Sequence, residues 1–280
     1  MPTIKQHREF FAEFLVRSVG SGNERLIQAF AAVARERFLG KGPWPVCVMP
    51  GYMDTISSDP RLLYQDILIG LATDRGINNG QPSLHARCIA ACDPQPGEAV
   101  VHIGAGTGYY SAVLAHLVSA TGHVTAFEIE PDLAAKASAN LLGITNARVV
   151  AASATDRALP EADVIYVNAA ATHPLRSWLA ALRPSGRLLF PLTPNDDLGV
   201  MLLVQRVRSD TYAASVVCRA AFIPCIGARD DATSEALANA LEAQSIDNIR
   251  SLHLDTPPDS SVWCAGTDWW LSTAEVPSAG

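Results

Sequence analysis

The 280-residue sequence lacks several features that mark specialised classes of protein. Its apolar runs fall short of the ~18 residues that cross a bilayer, so no membrane span is expected. Its 28 acidic and 21 basic residues give a formal net charge of −7. With no cluster of Lys and Arg, that balance disfavours a nucleic-acid partner. Its six cysteines include no Cys-x-x-Cys pair, so we expect small buried thiols in a reducing cytosol and no metal site.

The features that are present describe an ordinary globular protein. Apolar residues make up 49% of the chain and charged residues 18%, which is enough material for one large domain or a domain with an elaborated end. Four charged residues near the start, Lys5, Arg8, Glu9 and Glu13, interrupt any signal-peptide core. We therefore expect a cytoplasmic location.

One stretch, residues 100–110, organises the rest of the chain. Apolar residues surround His102, glycines then recur at positions 104, 106 and 108, and a helical pattern follows. A strand that ends in a glycine-rich turn and opens a helix is typical of a nucleotide-cofactor site. The dinucleotide fingerprint would need Gly or Ala at position 109, where this chain has Tyr109. The turn therefore favours a nucleoside cofactor without a pyrophosphate, S-adenosylmethionine first among them.

The pattern of apolar residues predicts an α/β fold. Strands and helices alternate from residue 98 to residue 190, which indicates a doubly wound, mostly parallel sheet with helices on both faces. Segments 201–208 and 212–222 are predicted to form an antiparallel pair that finishes the sheet. Before the alternation, helices are predicted at 6–19, 24–37 and 83–92, a strand at 63–69, and an irregular stretch at 40–60 that we interpret as a lid or a substrate-facing loop.

Three parts follow from these patterns. Residues 1–96 are predicted to be a helical cap with substrate-side loops, and residues 97–230 the cofactor-binding core. Residues 231–280 are predicted to be an extension with a helix and a tryptophan-rich hairpin. Its tryptophans, Trp263, Trp269 and Trp270, are expected to anchor the extension to the core. Substrate stacking or a homodimer contact stays an open alternative.

Glu128 is the strongest candidate for binding the cofactor's ribose. It closes the second strand of the alternation, twenty residues after Gly108, where a carboxylate can accept hydrogen bonds from both ribose hydroxyls. Ser153 and Ala154 follow the third strand and are expected near the adenine ring. The predicted cofactor-binding residues are His102, Gly104, Ala105, Gly106, Thr107, Gly108, Tyr109, Glu128, Ile129, Ser153, Ala154 and Asn168.

Several weak motifs occur together in one order. They are residues 33–38 (Val-Ala-Arg-Glu-Arg-Phe), 64–66 (Tyr-Gln-Asp), 103–109 (Ile-Gly-Ala-Gly-Thr-Gly-Tyr), 162–171, 183–188, Pro191 and 222–224. In these motifs the chain resembles protein-L-isoaspartate O-methyltransferases, a branch of the class I S-adenosylmethionine-dependent methyltransferases, from about Phe10 to Ile226. The resemblance implies a seven-stranded Rossmann-like sheet with one antiparallel strand and a helical N-terminal cap. It also implies S-adenosylmethionine as the cofactor and a peptide or protein carboxylate as the acceptor.

The departures from that family fall on the acceptor side. Where the family has Thr-Ile-Ser-Gln-Pro, with the serine beside the methyl-accepting carboxylate, residues 78–82 read Asn-Asn-Gly-Gln-Pro. Gly80 therefore supplies no hydroxyl. His102 also stands where the family has Glu, and Ser153 where it has Asp. The predicted catalytic residues are Asn78, Asn79, Gly80, Gln81 and His85.

Acceptor chemistry decides how much the missing serine matters. A carboxylate with a pKa near ~4 is ionised at neutral pH and needs no general base. Its methylation depends on holding it in line with the sulfonium methyl group. Asn78, Asn79, Gln81 or the backbone amide of Gly80 could hold it. An alcohol or phenol would need a base, for which His85 is the candidate imidazole.

Three functions stay open at this point. The first is an O-methyltransferase of a peptide or protein carboxylate. The second is a methyltransferase recruited to a small metabolite or a modified peptide, with residues 41–60 and 231–280 reshaping the acceptor pocket. The third is a cofactor-binding protein without methyl transfer, suggested by Gly80.

Overall fold

The structure is a computed structural model that describes residues 2–195 and 198–276. The chain forms two compact units, residues 1–152 and 153–280. The boundaries expected at 96/97 and 230/231 stay predictions.

The first unit begins with two amphipathic helices. They are α1 (Ile4–Ser18) and α2 (Glu24–Ala32), and a 3-10 turn, Arg35–Phe38, follows. The Thr3 hydroxyl and the Asn23 carboxamide accept hydrogen bonds from the first-turn amides of α1 and α2, which fixes where each helix begins. Buried Phe11 and Leu15 form the inward stripe of α1, whereas Phe10 and Phe14 lie on its exposed side.

Between residues 41 and 78, the structure contains strands where an irregular stretch was predicted, and it lacks a strand that was predicted. The expected irregular stretch contains an antiparallel hairpin of β1 (Pro45–Val48) and β2 (Gly51–Asp54). A second pair follows, β3 (Gly70–Ala72) and β4 (Ile77–Asn78). The strand predicted at 63–69 is wrong. The buried Arg35 guanidinium donates to the carbonyls of Leu63, Gln65 and Ile67 at 2.6, 2.9 and 2.7 Å, and these bonds occupy backbone groups that a sheet would need.

Strand–helix alternation then builds the core of the first unit. Its elements are α3 (Pro82–Cys92), β5 (Ala99–Ile103), α4 (Tyr109–Leu117), β6 (His123–Glu128), α5 (Pro131–Asn140) and β7 (Ala147–Ala151). The strand β6 lies between β5 and β7, parallel to both. Every residue of β5 is buried, as expected for a parallel strand covered on both faces.

The second unit continues the α/β pattern and adds an antiparallel extension. Its elements are β8 (Ala162–Val167), α6 (Arg176–Ala180), β9 (Leu182–Leu192), β10 (Gly199–Arg208), β11 (Thr211–Ala220), α7 (Asp231–Ala243), β12 (Ser251–Leu254), β13 (Val262–Ala265) and β14 (Trp269–Ser272). The strand β9 is parallel to β8, and β10 is antiparallel to both β9 and β11. The predicted α/β class is confirmed, with β10 as the antiparallel strand expected among β5 to β11.

The prediction that the pair β10–β11 finishes the sheet is wrong. Tyr212 and Ala213 of β11 pair with Leu252 and Ser251 of β12, and β12, β14 and β13 then follow in antiparallel order. The extension thus covers the backbone edge that β11 would otherwise leave unpaired.

The tryptophans of the extension are buried within the second unit. Trp263, Trp269 and Trp270 are each no more than 3% exposed. The indole N–H of Trp263 donates to the carbonyl of Ser245 at 3.1 Å, and that of Trp270 to the hydroxyl of Thr256 at 3.2 Å. These rings are core residues of the extension.

Candidate functional site

The glycine-rich turn leaves β5 in a conformation that only glycine adopts readily. Gly104, Gly106 and Gly108 all have positive φ, at 76°, 57° and 94°. The amides of Gly104 and Ala105 donate to the carbonyl of Phe127, at 2.9 and 3.1 Å. The turn is therefore fixed to the end of β6 by the chain's own hydrogen bonds before any ligand binds.

Glu128, the last residue of β6, lies against this turn. One carboxylate oxygen accepts from the amide of Gly106 at 2.6 Å and the other from the amide of Glu130 at 3.0 Å. Burial raises the pKa of this carboxyl, and the hydrogen bonds from the Glu130 and Gly106 amides oppose that rise. Each oxygen keeps a second lone pair, so the carboxylate can also accept from a pair of hydroxyls. The geometry suits the predicted contact with ribose.

Other predicted cofactor residues of the first unit make contacts that shape the turn. Nδ1 of His102 lies 2.8 Å from the hydroxyl of Ser111, and burial lowers the pKa of His102 to about 3. The ring of Tyr109 meets that of Phe38 edge-on, and the carbonyl of Thr107 accepts from Asn140 at 3.0 Å. Ile129, beside Glu128, is 39% exposed. These side chains position the backbone of the turn.

The remaining predicted cofactor residues, Ser153, Ala154 and Asn168, belong to the second unit. The Ser153 hydroxyl lies 2.8 Å from that of Thr155, and the Ala154 carbonyl accepts from the Trp178 indole at 3.0 Å. Asn168 directly follows β8 and is partly buried. Their contact with the cofactor stays a prediction.

The predicted acceptor-side residues begin with Asn78, the last residue of β4, and continue through Gln81 to His85 on α3. Asn78 pairs with Gly70 across β3 and β4. Leu71 lies on β3 between the paired residues Gly70 and Ala72. Its Cδ1 is 3.2 Å from the position that a β-carbon on Gly106 would take. The segment that carries Asn78, Asn79 and Gly80 is thus packed on the cofactor turn.

Gly80 has no room for a side chain. Its φ is +72°, and a β-carbon built there would overlap Nε2 of His85 and lie 2.7 Å from Cδ2 of the same ring. The His85 ring stacks on Tyr110, with centroids 3.7 Å apart, and the Tyr110 hydroxyl donates to the Gly80 carbonyl at 3.4 Å. The imidazole therefore fills the space that a serine at position 80 would need.

Burial of the His85 ring also determines its protonation state. The side chain is 2% exposed. Burial, with smaller contributions from His102 and Arg35, lowers the pKa of His85 to about 3. The ring is therefore neutral at physiological pH and a weak base.

Two residues that position the acceptor segment escaped the sequence analysis as contributors to the site. The Asp66 carboxylate accepts from the amide of Ser83 at 2.7 Å and from the side chain of Gln81 at 2.8 Å, so Asp66 caps α3. Arg35 holds residues 63–67 through their carbonyls. Arg35 lies in the motif at 33–38 and Asp66 in the motif at 64–66, and these motifs were the sequence signal for both residues.

The hairpin β1–β2 borders the same segment. The amide of Cys47 donates to the carbonyl of Leu68 at 2.9 Å, and Val46 bridges to Ile69. Met49, in the turn between the two strands, is 89% exposed, and Met53, on β2, is 61% exposed. An apolar, adaptable surface therefore adjoins the acceptor segment.

The part of the chain described above contains no group of three or more His, Cys, Asp or Glu side chains placed to hold a metal ion. Across the same residues, no helix combines the length and the apolar character needed to cross a membrane.

Comparison with known proteins gives one consistent result. A family model described as protein-L-isoaspartate(D-aspartate) O-methyltransferase matches residues 11–230. The protein-L-isoaspartate O-methyltransferase of Aeropyrum pernix is 31% identical over 229 residues, which cover 80% of this chain and 80% of the relative. That of Methanoculleus marisnigri is 30% identical over 228 residues, 80% of this chain and 93% of the relative.

Solved structures agree. One protein-L-isoaspartate O-methyltransferase superposes with a TM-score of 0.65 at 25% identity, covering 84% of this chain and 68% of that chain. A Plasmodium falciparum structure titled as such an enzyme, solved with S-adenosyl-L-homocysteine, gives a TM-score of 0.63 at 17% identity, covering 79% of this chain and 98% of that one. At that identity the second likeness shows the fold alone.

Proposed function

Since the chain belongs to the protein-L-isoaspartate(D-aspartate) O-methyltransferase family, we propose that it methylates a carboxylate oxygen of a peptide or protein. The protein is a methyltransferase, and its methyl donor is S-adenosyl-L-methionine. The alternative of a cofactor-binding protein without methyl transfer is set aside. The finer question is which acceptor the altered segment at Asn78 to Gln81 takes.

The observation that carries the carboxylate proposal is the state of His85. This is the imidazole that an alcohol or phenol acceptor would use as a general base. Stacked on Tyr110 and with a pKa of about 3, it is far from the pKa near the operating pH that general-base catalysis favours. An acceptor that is already ionised at neutral pH avoids this requirement.

The proposed reaction then depends on positioning. The turn at Gly104 to Gly108 and the Glu128 carboxylate hold the methyl donor. The segment after β4 orients the acceptor carboxylate in line with the sulfonium methyl group. Orientation of this kind can supply about 7–11 kcal/mol of the barrier in well-aligned reactions. The loss of the serine hydroxyl at position 80 removes one contact to the acceptor and leaves the chemistry unchanged.

The test uses methyl-labelled S-adenosylmethionine and a peptide containing one isoaspartyl residue. A matched peptide carries the corresponding amide in place of the free carboxylate. We expect label on the first peptide and none on the second. Equal labelling of both, or labelling of neither, would overturn the carboxylate proposal.

A second candidate acceptor, a small metabolite or a modified peptide, is favoured by the hairpin β1–β2. Its backbone contacts are to Leu68 and to Ile69, which bonds Asn79. Met49 in its turn and Met53 on β2 are exposed. Such a surface can select acceptors with apolar neighbours around the carboxylate. The contribution of residues 231–280 to the acceptor pocket stays a prediction.

Replacing Met49 and Met53 together with serine tests whether the hairpin contacts the acceptor. We expect the KM for the peptide acceptor to rise several-fold, because apolar contact area is lost, while the Kd of the cofactor stays the same. A control pair on an exposed surface elsewhere, Phe10→Ser with Phe14→Ser, should leave both constants unchanged. An unaltered acceptor KM in the methionine variant would remove the hairpin from the acceptor site.

We also propose a cytoplasmic location, the one expected from the cysteine pattern of the sequence. A homodimer stays a prediction.

A further inference from the structure

The serine position of the family is empty of side chain in this protein, so another group must orient the acceptor. The chain offers donors in Asn78, Asn79, Gln81 and the amide of Gly80. Two of them are engaged. The Gly80 amide donates to the side-chain oxygen of Asn78 at 2.9 Å, and Nε2 of Gln81 donates to Asp66 at 2.8 Å. The Gly80 amide has a single N–H, so it cannot serve a ligand without losing this bond, and Gln81 is an exposed side chain held by Asp66.

Asn79 differs from these neighbours. Its side-chain oxygen accepts from the backbone amide of Ile69 at 2.8 Å. The backbone amide of Asn79 donates to the Ile69 carbonyl at 2.9 Å. The first bond fixes which end of the carboxamide is oxygen, because only an acceptor can face a backbone N–H. The other end of the carboxamide is therefore the NH₂ group.

That NH₂ group is the unusual feature. Asn79 is only 9% exposed, and its Nδ2 is buried without a hydrogen-bond partner among the described residues. Buried donors in folded proteins are almost always paired, so an unpaired one calls for an explanation. A carboxamide rigidly held through its oxygen, with its donor end unused, is suited to receive an acceptor atom from a ligand.

The location of Asn79 agrees with this role. It directly follows β4 and directly precedes Gly80, whose carbonyl accepts from Tyr110 in the first turn of α4. The paired strand β3 places Leu71 against Gly106 in the middle of the cofactor turn. The donor thus belongs to the segment that borders the methyl-donor site.

We propose that the Nδ2 amide of Asn79 donates a hydrogen bond to the acceptor carboxylate and takes over the orienting role of the family's serine. The inference rests on the proposed function. In the reaction, a lone pair of the carboxylate oxygen forms the new bond to the methyl carbon. The carbon–sulfur bond of the sulfonium breaks, and its electron pair stays on sulfur. The products are a methyl ester and demethylated cofactor, and no proton is transferred. Asn79 holds the oxygen that does not react or aligns the one that does.

Asn79→Asp is the sharpest test. The aspartate has the same shape and keeps an oxygen for the Ile69 amide, but it replaces the NH₂ donor with a second negatively charged oxygen. Gln28→Glu is the matched control, since it makes the same change of charge at an exposed amide on α2. Labelled S-adenosylmethionine, the isoaspartyl peptide and calorimetry with demethylated cofactor supply the readouts.

For Asn79→Asp we expect kcat/KM for the peptide to fall at least about 100-fold, because the carboxylate now meets a like charge. The rise in KM should account for much of the loss, and the Kd of the cofactor should change less than about two-fold. Gln28→Glu should retain kcat/KM. Where Asn79→Asp does not fold, Asn79→Gln, which moves the donor by one methylene, is expected to show the same split between acceptor and cofactor.

Each other result contradicts a defined statement. If the parent enzyme esterifies the peptide and Asn79→Asp does so equally well, the role of Asn79 is wrong and the proposed function stands. If the variant loses cofactor affinity as strongly as acceptor turnover, the residue is structural. If the parent transfers no methyl group to the peptide carboxylate, both proposals fall together.

Discussion

The proposed methyl-donor side and the proposed acceptor side of the first unit are built differently. The donor side consists of a backbone turn, three left-handed glycines and one carboxylate, and its shape is fixed by local hydrogen bonds to β6. The acceptor side consists of a short segment whose shape depends on distant residues: His85 behind Gly80, Asp66 below Gln81 and Arg35 behind residues 63–67. A site shaped by adjacent residues can be recognised from a sequence motif. A site shaped by distant residues can change its side chains while the surrounding fold stays the same.

The largest expected effect falls on the donor side. Gly106→Val places a β-branched residue at a φ of +57° and a β-carbon 3.2 Å from Leu71. We expect the Kd of S-adenosylmethionine to rise about 100-fold, equivalent to about 2.7 kcal/mol. Calorimetry measures it directly.

The control for this change is Gly143→Val, at another left-handed glycine (φ +91°) with open space around it. It should lose stability and keep the cofactor Kd. If both variants bound the cofactor equally well, the turn would not be the donor site.

A smaller effect is expected on the acceptor side. Gly80→Ser and Gly76→Ser share the cost of a left-handed serine, since their φ values are +72° and +68°, but only position 80 meets His85. The overlap should destabilise Gly80→Ser by about 1–3 kcal/mol more than Gly76→Ser in urea unfolding.

Adding His85→Ala to Gly80→Ser should return part of that difference, which makes the two positions a coupled pair in a double-mutant cycle. Additive energies would show that the ring does not exclude a side chain at position 80. Recovery of high isoaspartyl turnover by Gly80→Ser alone would show that the serine can still be accommodated.

The fold around the glycine turn could be predicted from local signals, whereas the fold before the acceptor segment could not. The G-x-G-x-G spacing, the strand before it and Glu128 twenty residues later are local signals. The strand wrongly predicted at 63–69 has an apolar pattern, but its carbonyls bond Arg35, nearly thirty residues earlier in the chain. The end of the sheet was misplaced at β11, because a period-two pattern predicts a strand and not its partners.

A further comparison takes one buried histidine from each side. Burial lowers the pKa of both His85 and His102 to about 3, from an ordinary value of 6.5. Between these pH values the unfolded chain binds more protons than the folded one, so stability is present above pH 6.5 and is lost as the pH falls. Each histidine should contribute a slope of about 1.4 kcal/mol per pH unit to the free energy of unfolding below that value.

His102→Gln and His85→Gln should each remove one histidine's share of that slope, as measured by urea unfolding between pH 4 and 6.5. Gln28→Ala, at an exposed residue of α2 that has no titratable group, is the control and should leave the slope unchanged. A slope unaffected by either buried substitution would mean that these rings do not titrate on unfolding.

The most direct test of the account is the chemical nature of the bond that the enzyme makes. After transfer from labelled S-adenosylmethionine to the isoaspartyl peptide, the product is brought to alkaline pH and the volatile label is measured. A methyl ester on a carboxylate releases its label as methanol, and the account predicts release of essentially all of it. Label that survives alkali, as on an ether or an amine, would contradict a carboxylate acceptor on this altered segment.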